Sequence, residues 1–282
     1  MIAGLPRPSY HQGFARSAGE SANPGLWKGL AGFWPTGLGN SGSTVFDPLN
    51  SNGATTGATW AIGKFGHVLD YGDSTDTFTL EVASNPRVGL DGATSASWMA
   101  CFFARGLGQG GDGRLLDKDG ATTNNNWGHT LHLQASNSLR LAINATLSNW
   151  NKDSATNIYS LNTWVHVVVT WKGSSRIEFW IDGVLADSST TSIAAGPIVA
   201  NTEVLRIGLR KDDSRAFDGL IGDTGIWDRV LAGDEIRQLY KNPLAMFQRR
   251  SRVIGKAPAA GGGFQSAWAA NSNAVIQGGV QI

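Results

Sequence analysis

The chain has 282 residues, 37 of them glycine and 11 tryptophan, with 16% charged residues and a formal net charge of +1. That balance excludes a long basic groove for nucleic acid, and abundant glycine beside few charges excludes a helical bundle or coiled coil. A single cysteine excludes a disulfide framework within the chain.

Residues 1–26 carry Pro6, Pro8 and Pro24 and show neither helical nor strand periodicity. They predict an N-terminal arm, in which Arg7, Tyr10 and Phe14 are the residue types that anchor such segments on a partner. No basic patch leads into an apolar core at the start and no apolar run approaches 18 residues. The expectation is therefore a chain without secretory leader or membrane span, folded in a cytoplasm.

A first strand is expected within residues 26–35, with Pro35 marking a strand end. Further strands follow at 68–71, 77–82, 97–105, 114–117, 129–133 and 139–143, nearly all separated by turn residues. Cys101 lies in the apolar run 98–103 and reads as a small buried hydrophobe. The strongest signal spans residues 164–187, where Val165, Val167, Val169 and Trp171 alternate with Trp164, His166, Val168 and Thr170. A second apolar row, Ile177, Phe179 and Ile181, leads to Asp182-Gly183, the dipeptide of a tight hairpin.

Strands at 204–208 and 219–227 complete an all-β pattern, a two-sheet antiparallel sandwich over residues 27–247. One short helix is expected at 234–241, with Ile236, Leu239 and Tyr240 on one stripe and Pro243 beyond its end. Residues 248–282 read as a basic, glycine-rich linker and C-terminal extension.

Three chemistries can be weighed on these residues. A glycosidase needs two carboxyl groups about 5–9.5 Å apart, whereas Glu178 and Asp182 on one strand have Cα atoms some 13 Å apart at about 3.3 Å per residue. His129 and His132 fall on opposite faces of a strand and cannot share a metal without a bulge. Asp117 and Asp119, followed by Gly120, form either a calcium site or a turn with solvated acids. Asn126, Trp127 and Trp150 combine aromatic planes with amides, and Trp180 offers another ring; these are sugar-stacking candidates or wet loops with packing tryptophans.

The order of Trp164, His166 and Thr170, then Asp182-Gly183, then Gly219, Ile226 and Trp227, then Glu235, Leu239 and Tyr240 resembles the laminin-G-like, concanavalin A-like jelly-roll family over residues 27–247. Ala232 stands where that family commonly has the serine that caps the helix. The E-x-D-x-x-E strand of the family's glycosidases is missing, so the resemblance implies a binding or structural protein and not an enzyme. The flanks, Leu5-Pro-Arg-Pro8 and the Arg-rich stretch after Phe247, are similar to phage and prophage-encoded members.

From this resemblance the expected role is a virion structural protein assembled in the host cytoplasm, a capsid decoration protein forming homo-oligomers. It would grip the major capsid protein or other virion subunits through Arg7, Tyr10, Phe14, Arg249, Arg250, Arg252, Phe264 and Trp268. The alternative is a carbohydrate-binding module of a tail fibre or spike, meeting host or environmental glycans through Asn126, Trp127, Trp150 and Trp180. Neither reading calls for a cofactor beyond calcium at Asp117 and Asp119.

Overall fold

In the computed structural model, which describes residues 14–38, 42–120 and 127–250 and all side chains there except those of 148 and 149, Asp182 and Gly183 both take left-handed φ values of 50° and 77°. They form the two-residue turn that the Asp-Gly dipeptide favours, and Ile181 pairs with Val184 across it.

The strands in chain order begin with β1 (Leu30–Trp34), β2 (Thr44–Val45), β3 (Gly53–Thr56), β4 (Thr59–Gly63), β5 (Gly66–Asp70) and β6 (Thr79–Val82). After the single turn of α1 (Pro86–Gly89) come β7 (Ser95–Ala104), β8 (Arg114–Asp119), β9 (Trp127–Gln134), β10 (Ser138–Ala145) and β11 (Ser148–Asp153). The chain then runs through β12 (Trp164–Lys172), β13 (Arg176–Ile181), β14 (Val184–Ser189), β15 (Leu205–Ile207) and β16 (Gly219–Trp227) into α2 (Gly233–Lys241). No helix among the described residues is long and apolar enough to cross a membrane.

Two antiparallel sheets form a jelly-roll sandwich. The first runs β14-β13-β12-β7-β16-β5-β4, with β1 also on β16, and the second runs β11-β10-β9-β8-β15-β6-β3-β2. The alternation seen in sequence sets the layers. Val165, Val167, Val169 and Trp171 of β12 join Trp98 and Phe102 of β7 in the core between the sheets, opposite Leu131 and Leu133 of β9 and Leu139, Leu141 and Ile143 of β10.

The other row of β12 does not face solvent. Val168, with Met99, Cys101, Phe33 and Trp227, packs beneath Ile236 and Leu239 of α2 and beneath Met246 and Phe247. The middle of the first sheet is therefore covered on both faces, while among the described residues no helix packs on the outer row of the second sheet, Arg140, Ala142 and Asn144 on β10. Burial pushes the Cys101 thiol well above its ordinary range, in keeping with an inert packing role.

The helix begins without a side-chain cap at Ala232. Glu235 Oε2 accepts the Ala232 N–H at 2.9 Å, and Arg229 holds the same carboxylate with two bonds of 2.7 Å.

Residues 14–26, placed above in the N-terminal arm, pack on the sandwich. Ala15 N–H donates to Phe247 O at 2.8 Å, Ser21 bridges Arg249, and the Ser21 hydroxyl donates to Met246 O at 2.7 Å. Backbone pairing with the segment after α2 supplies the order that side-chain periodicity did not announce.

Candidate functional site

Strands β8, β9, β10 and β11 lie side by side, and their outward side chains line a polar cavity of about 290 Å³ on the second sheet. Strand alternation explains who faces it. On β10 the core takes Leu139, Leu141 and Ile143, leaving Arg140 and Ala142 outward; on β9 it takes His129, Leu131 and Leu133, leaving Thr130 and His132 outward.

On β8 the pairing register with β9 shifts between Arg114 and Leu116. That bulge lets Arg114 and Asp117, three residues apart, share a face. Arg114 Nε lies 2.8 Å from Asp117 Oδ2. The Arg114 Nη1 atom is buried and has no hydrogen-bond partner among the described residues. Burial pushes the Asp117 carboxyl up to about 7 despite the pull of the Arg114 guanidinium.

Four arginines and two aspartates line this cleft. Both aspartates are held: Arg210 Nε is 3.1 Å from Asp119 Oδ2, and Arg215 Nη1 is 2.8 Å from Asp112 Oδ2. Arg140, 32% exposed, pairs with Asp153 at the rim. His132 is kept neutral, its pKa lowered well below the ordinary value by burial first and then by Arg114, Arg140, Arg215 and Arg210. Thr130 Oγ1 lies 3.2 Å from His132 Nδ1.

Trp127 and Asp119, flagged in sequence for different chemistries, meet in this cleft, and Asn151 joins them from β11. The Asn144 amide donates to Trp127 O at 2.8 Å and fixes the start of β9. Trp150, by contrast, is half-buried against the core between the sheets. Trp180 belongs to the other sheet, half-buried against the α2 layer, and its Nε1–H donates to Glu178 Oε2 at 3.2 Å. Asn126 lies outside the described residues.

As a calcium site, Asp117 and Asp119 have an arginine each where a cation would have to compete, and no group of three His, Cys, Asp or Glu side chains among the described residues is placed to hold a metal. His129 faces inward, accepting from Trp98 Nε1–H at 3.0 Å through Nδ1 while Nε2 lies 3.2 Å from Val88 O. Its separation from the outward His132 follows the strand alternation. Glu178 and Asp182 sit on the first sheet, engaged by the Thr170 hydroxyl and the His166 N–H respectively.

Of the residues proposed to meet a partner, Arg7, Tyr10, Arg252, Phe264 and Trp268 lie outside the described residues. Phe14 packs half-buried on the cluster under α2, Arg249 pairs with Glu20 at 4.0 Å, and Arg250 Nε–H donates to Ser21 O at 2.7 Å. These three tie the two ends of the domain to each other.

Residues 73–237 match the family model described as the concanavalin A-like lectin/glucanases superfamily. Among curated proteins the chain is 35% identical over 98 residues to pentraxin-related protein PTX3 of Homo sapiens and 38% identical over 82 residues to serum amyloid P-component of Cavia porcellus. Those alignments take 31% and 27% of this chain, and only 26% and 37% of the relatives' own lengths.

Among solved structures, the binding domain of Paraclostridial Mosquitocidal Protein 1 superposes with a TM-score of 0.57 at 15% identity, over 75% of this chain and 52% of that one. Domain 4 of AbnA, an arabinanase from Geobacillus stearothermophilus solved in complex with arabinotriose, superposes with a TM-score of 0.54 at 16% identity, over 75% of this chain and 98% of that domain. These structural likenesses show the shared fold. The expected capsid decoration role finds no support in these relatives.

Proposed function

This chain belongs to the concanavalin A-like lectin/glucanase superfamily, and from that footing we propose that it is a glycan-binding domain whose binding surface is the cleft on the outer face of the second sheet. The observation that carries the reading is the make-up of that outer face. A cavity of about 290 Å³ brings one tryptophan together with the Asn151 amide, the Thr130 hydroxyl and a set of guanidinium donors. Sugars need this combination, since a pyranose has apolar C–H faces that stack on aromatic rings and hydroxyls that both donate and accept. The arabinotriose bound by the AbnA domain adds a precedent for a sugar ligand on the same fold.

The reading is of binding without turnover. Asp112 and Asp119 are each engaged by an arginine, and neither is poised as a general acid beside a free carboxylate. A glycan array probed with the full chain tests the proposal. Binding that Trp127→Ala weakens by roughly tenfold, with Trp150→Ala affecting stability more than binding, supports it. Appearance of cleaved sugars on prolonged incubation contradicts the non-catalytic part.

A further inference from the structure

Building on the glycan reading of this same cleft, we infer that its ligand is an acidic sugar, a hexuronate whose carboxylate is received by Arg114 at the cleft floor with Arg140, Arg210 and Arg215 around it. A neutral sugar would be served by the amide, hydroxyl and carboxylate groups already there. Four guanidiniums line the cleft, and each also faces one carboxylate, Arg114 with Asp117, Arg140 with Asp153, Arg210 with Asp119 and Arg215 with Asp112, so what sets the cleft apart is its density of guanidinium donors and not a net positive charge.

Arg114 is the decisive group. Its side chain is only 9% exposed, it lines the cavity, and its Nη1 donor meets no acceptor among the described residues. A buried guanidinium donor is costly to leave unpaired, and a planar carboxylate matches the guanidinium fork with two parallel bonds. The other arginines are already engaged on one side by Asp153, Asp119 and Asp112. Those ion pairs fix the guanidinium planes, so less rotamer entropy is lost when an anion arrives.

The cavity also limits the ligand. At about 290 Å³ it lies at the small end of ligand pockets, which run roughly 300–1,000 Å³, room enough to seat a sugar residue or two. The Trp127 ring and the Asn151 and Thr130 side chains stand beside the arginines to meet the rest of the sugar. A nucleic acid would require a continuous basic stripe, which the alternating aspartates interrupt.

The test is calorimetric titration of the full chain with short oligosaccharides of the galacturonate, glucuronate and mannuronate series, each beside its methyl ester and a sulfated neutral counterpart. The methyl ester keeps the sugar and removes only the charge. At least one series is expected to bind ten times or more tightly as the free acid than as the ester or the sulfated sugar. Arg140→Gln, at a more exposed position, and Arg114→Lys, which keeps the charge but loses the fork, should each reduce that preference by about ten- to a hundredfold. Arg140→Gln keeps the test open should Arg114→Lys fail to fold.

Equal affinity for acid and ester, or a preference for the sulfated sugar, overturns this inference and leaves the glycan reading standing. Failure of every oligosaccharide, neutral or acidic, overturns both.

Discussion

Arg114 Nε lies 2.8 Å from Asp117 Oδ2 beneath the cleft, with the two side chains 9% and 1% exposed. Removing Asp117 leaves the Arg114 guanidinium buried without its carboxylate, which costs about 3–5 kcal/mol, and removing Arg114 forces Asp117, already raised to about 7, to take up a proton in a site left unpaired, whereas replacing both by apolar groups of similar size is close to neutral. Arg114→Met and Asp117→Leu should therefore each lower the urea midpoint sharply. The double variant should recover most of the loss. Additive effects in that double-mutant cycle would contradict the coupling.

Asp223 on β16 gives a second prediction, because it is buried and has no ion-pair partner among the described residues. Its Oδ1 accepts the Gly37 N–H at 2.9 Å, and burial pushes its pKa up to about 7. The native carboxyl keeps its proton from about pH 4 to 7 while the unfolded chain gives it up, so stability falls as pH rises through that window. Asp223→Asn should remove this loss. Unfolding free energies of the two proteins, from denaturant titrations, should diverge from pH 4 to 7, reaching a few kcal/mol (order of magnitude) above pH 7, and a gap independent of pH would refute the assignment.

His166 has the opposite pH sign. It is fully buried on β12, neither ring nitrogen has a hydrogen-bond partner among the described residues, and its pKa is lowered to about 3 by burial. The unfolded imidazole gains its proton near pH 6.5 and the native one does not, so stability falls as pH drops from 6.5 toward 3. His166→Phe preserves the ring contact with Tyr240, whose centroid is 5.8 Å away, and removes two buried unpaired nitrogens. Unfolding free energy should rise by about 1–3 kcal/mol at pH 7 and by more at pH 5; a lower midpoint would contradict this account.

Ala232 predicts a local gain. The residue is exposed, has extended backbone (φ −72°, ψ 153°) and lacks the side-chain oxygen that caps a helix, while Glu235 already completes the other half of the motif. Ala232→Ser should stabilise the protein by about 1 kcal/mol, read as a shift in thermal midpoint. No gain would mean that the Arg229–Glu235 clamp alone suffices at this helix start.

Much of the fold was legible because its strands obey a strict period. Alternation over residues 164–171 separated the two rows of β12 without telling which one is the core, because both are partly apolar, and the pattern at 234–241 located α2. The strands not legible were β2, β3, β4 and β11. Gly53-Ala-Thr-Thr56 has no large apolar side chain, and β11 alternates asparagines and an aspartate at the edge of its sheet, so neither shows the hydrophobic contrast on which such reading depends.

The cleft was half legible. Trp127 and Asp119 were singled out for a sugar and for calcium, while the arginines were passed over because they come from positions 114, 140, 210 and 215 and only strand pairing unites them. One signal was available. Arg140 stands out of phase with the apolar row Leu139, Leu141 and Ile143, which marks the outward face of its strand.

The most direct measurement is a ¹⁵N–¹H amide titration of the full chain with the best-binding oligosaccharide. Shifts are predicted to cluster at Thr130, His132, Ala142 and Asn151, on the outward face of β9, β10 and β11. Shifts confined to the covered side of the first sheet, at Val168, Trp180 or Leu239, would contradict the placement of the binding surface.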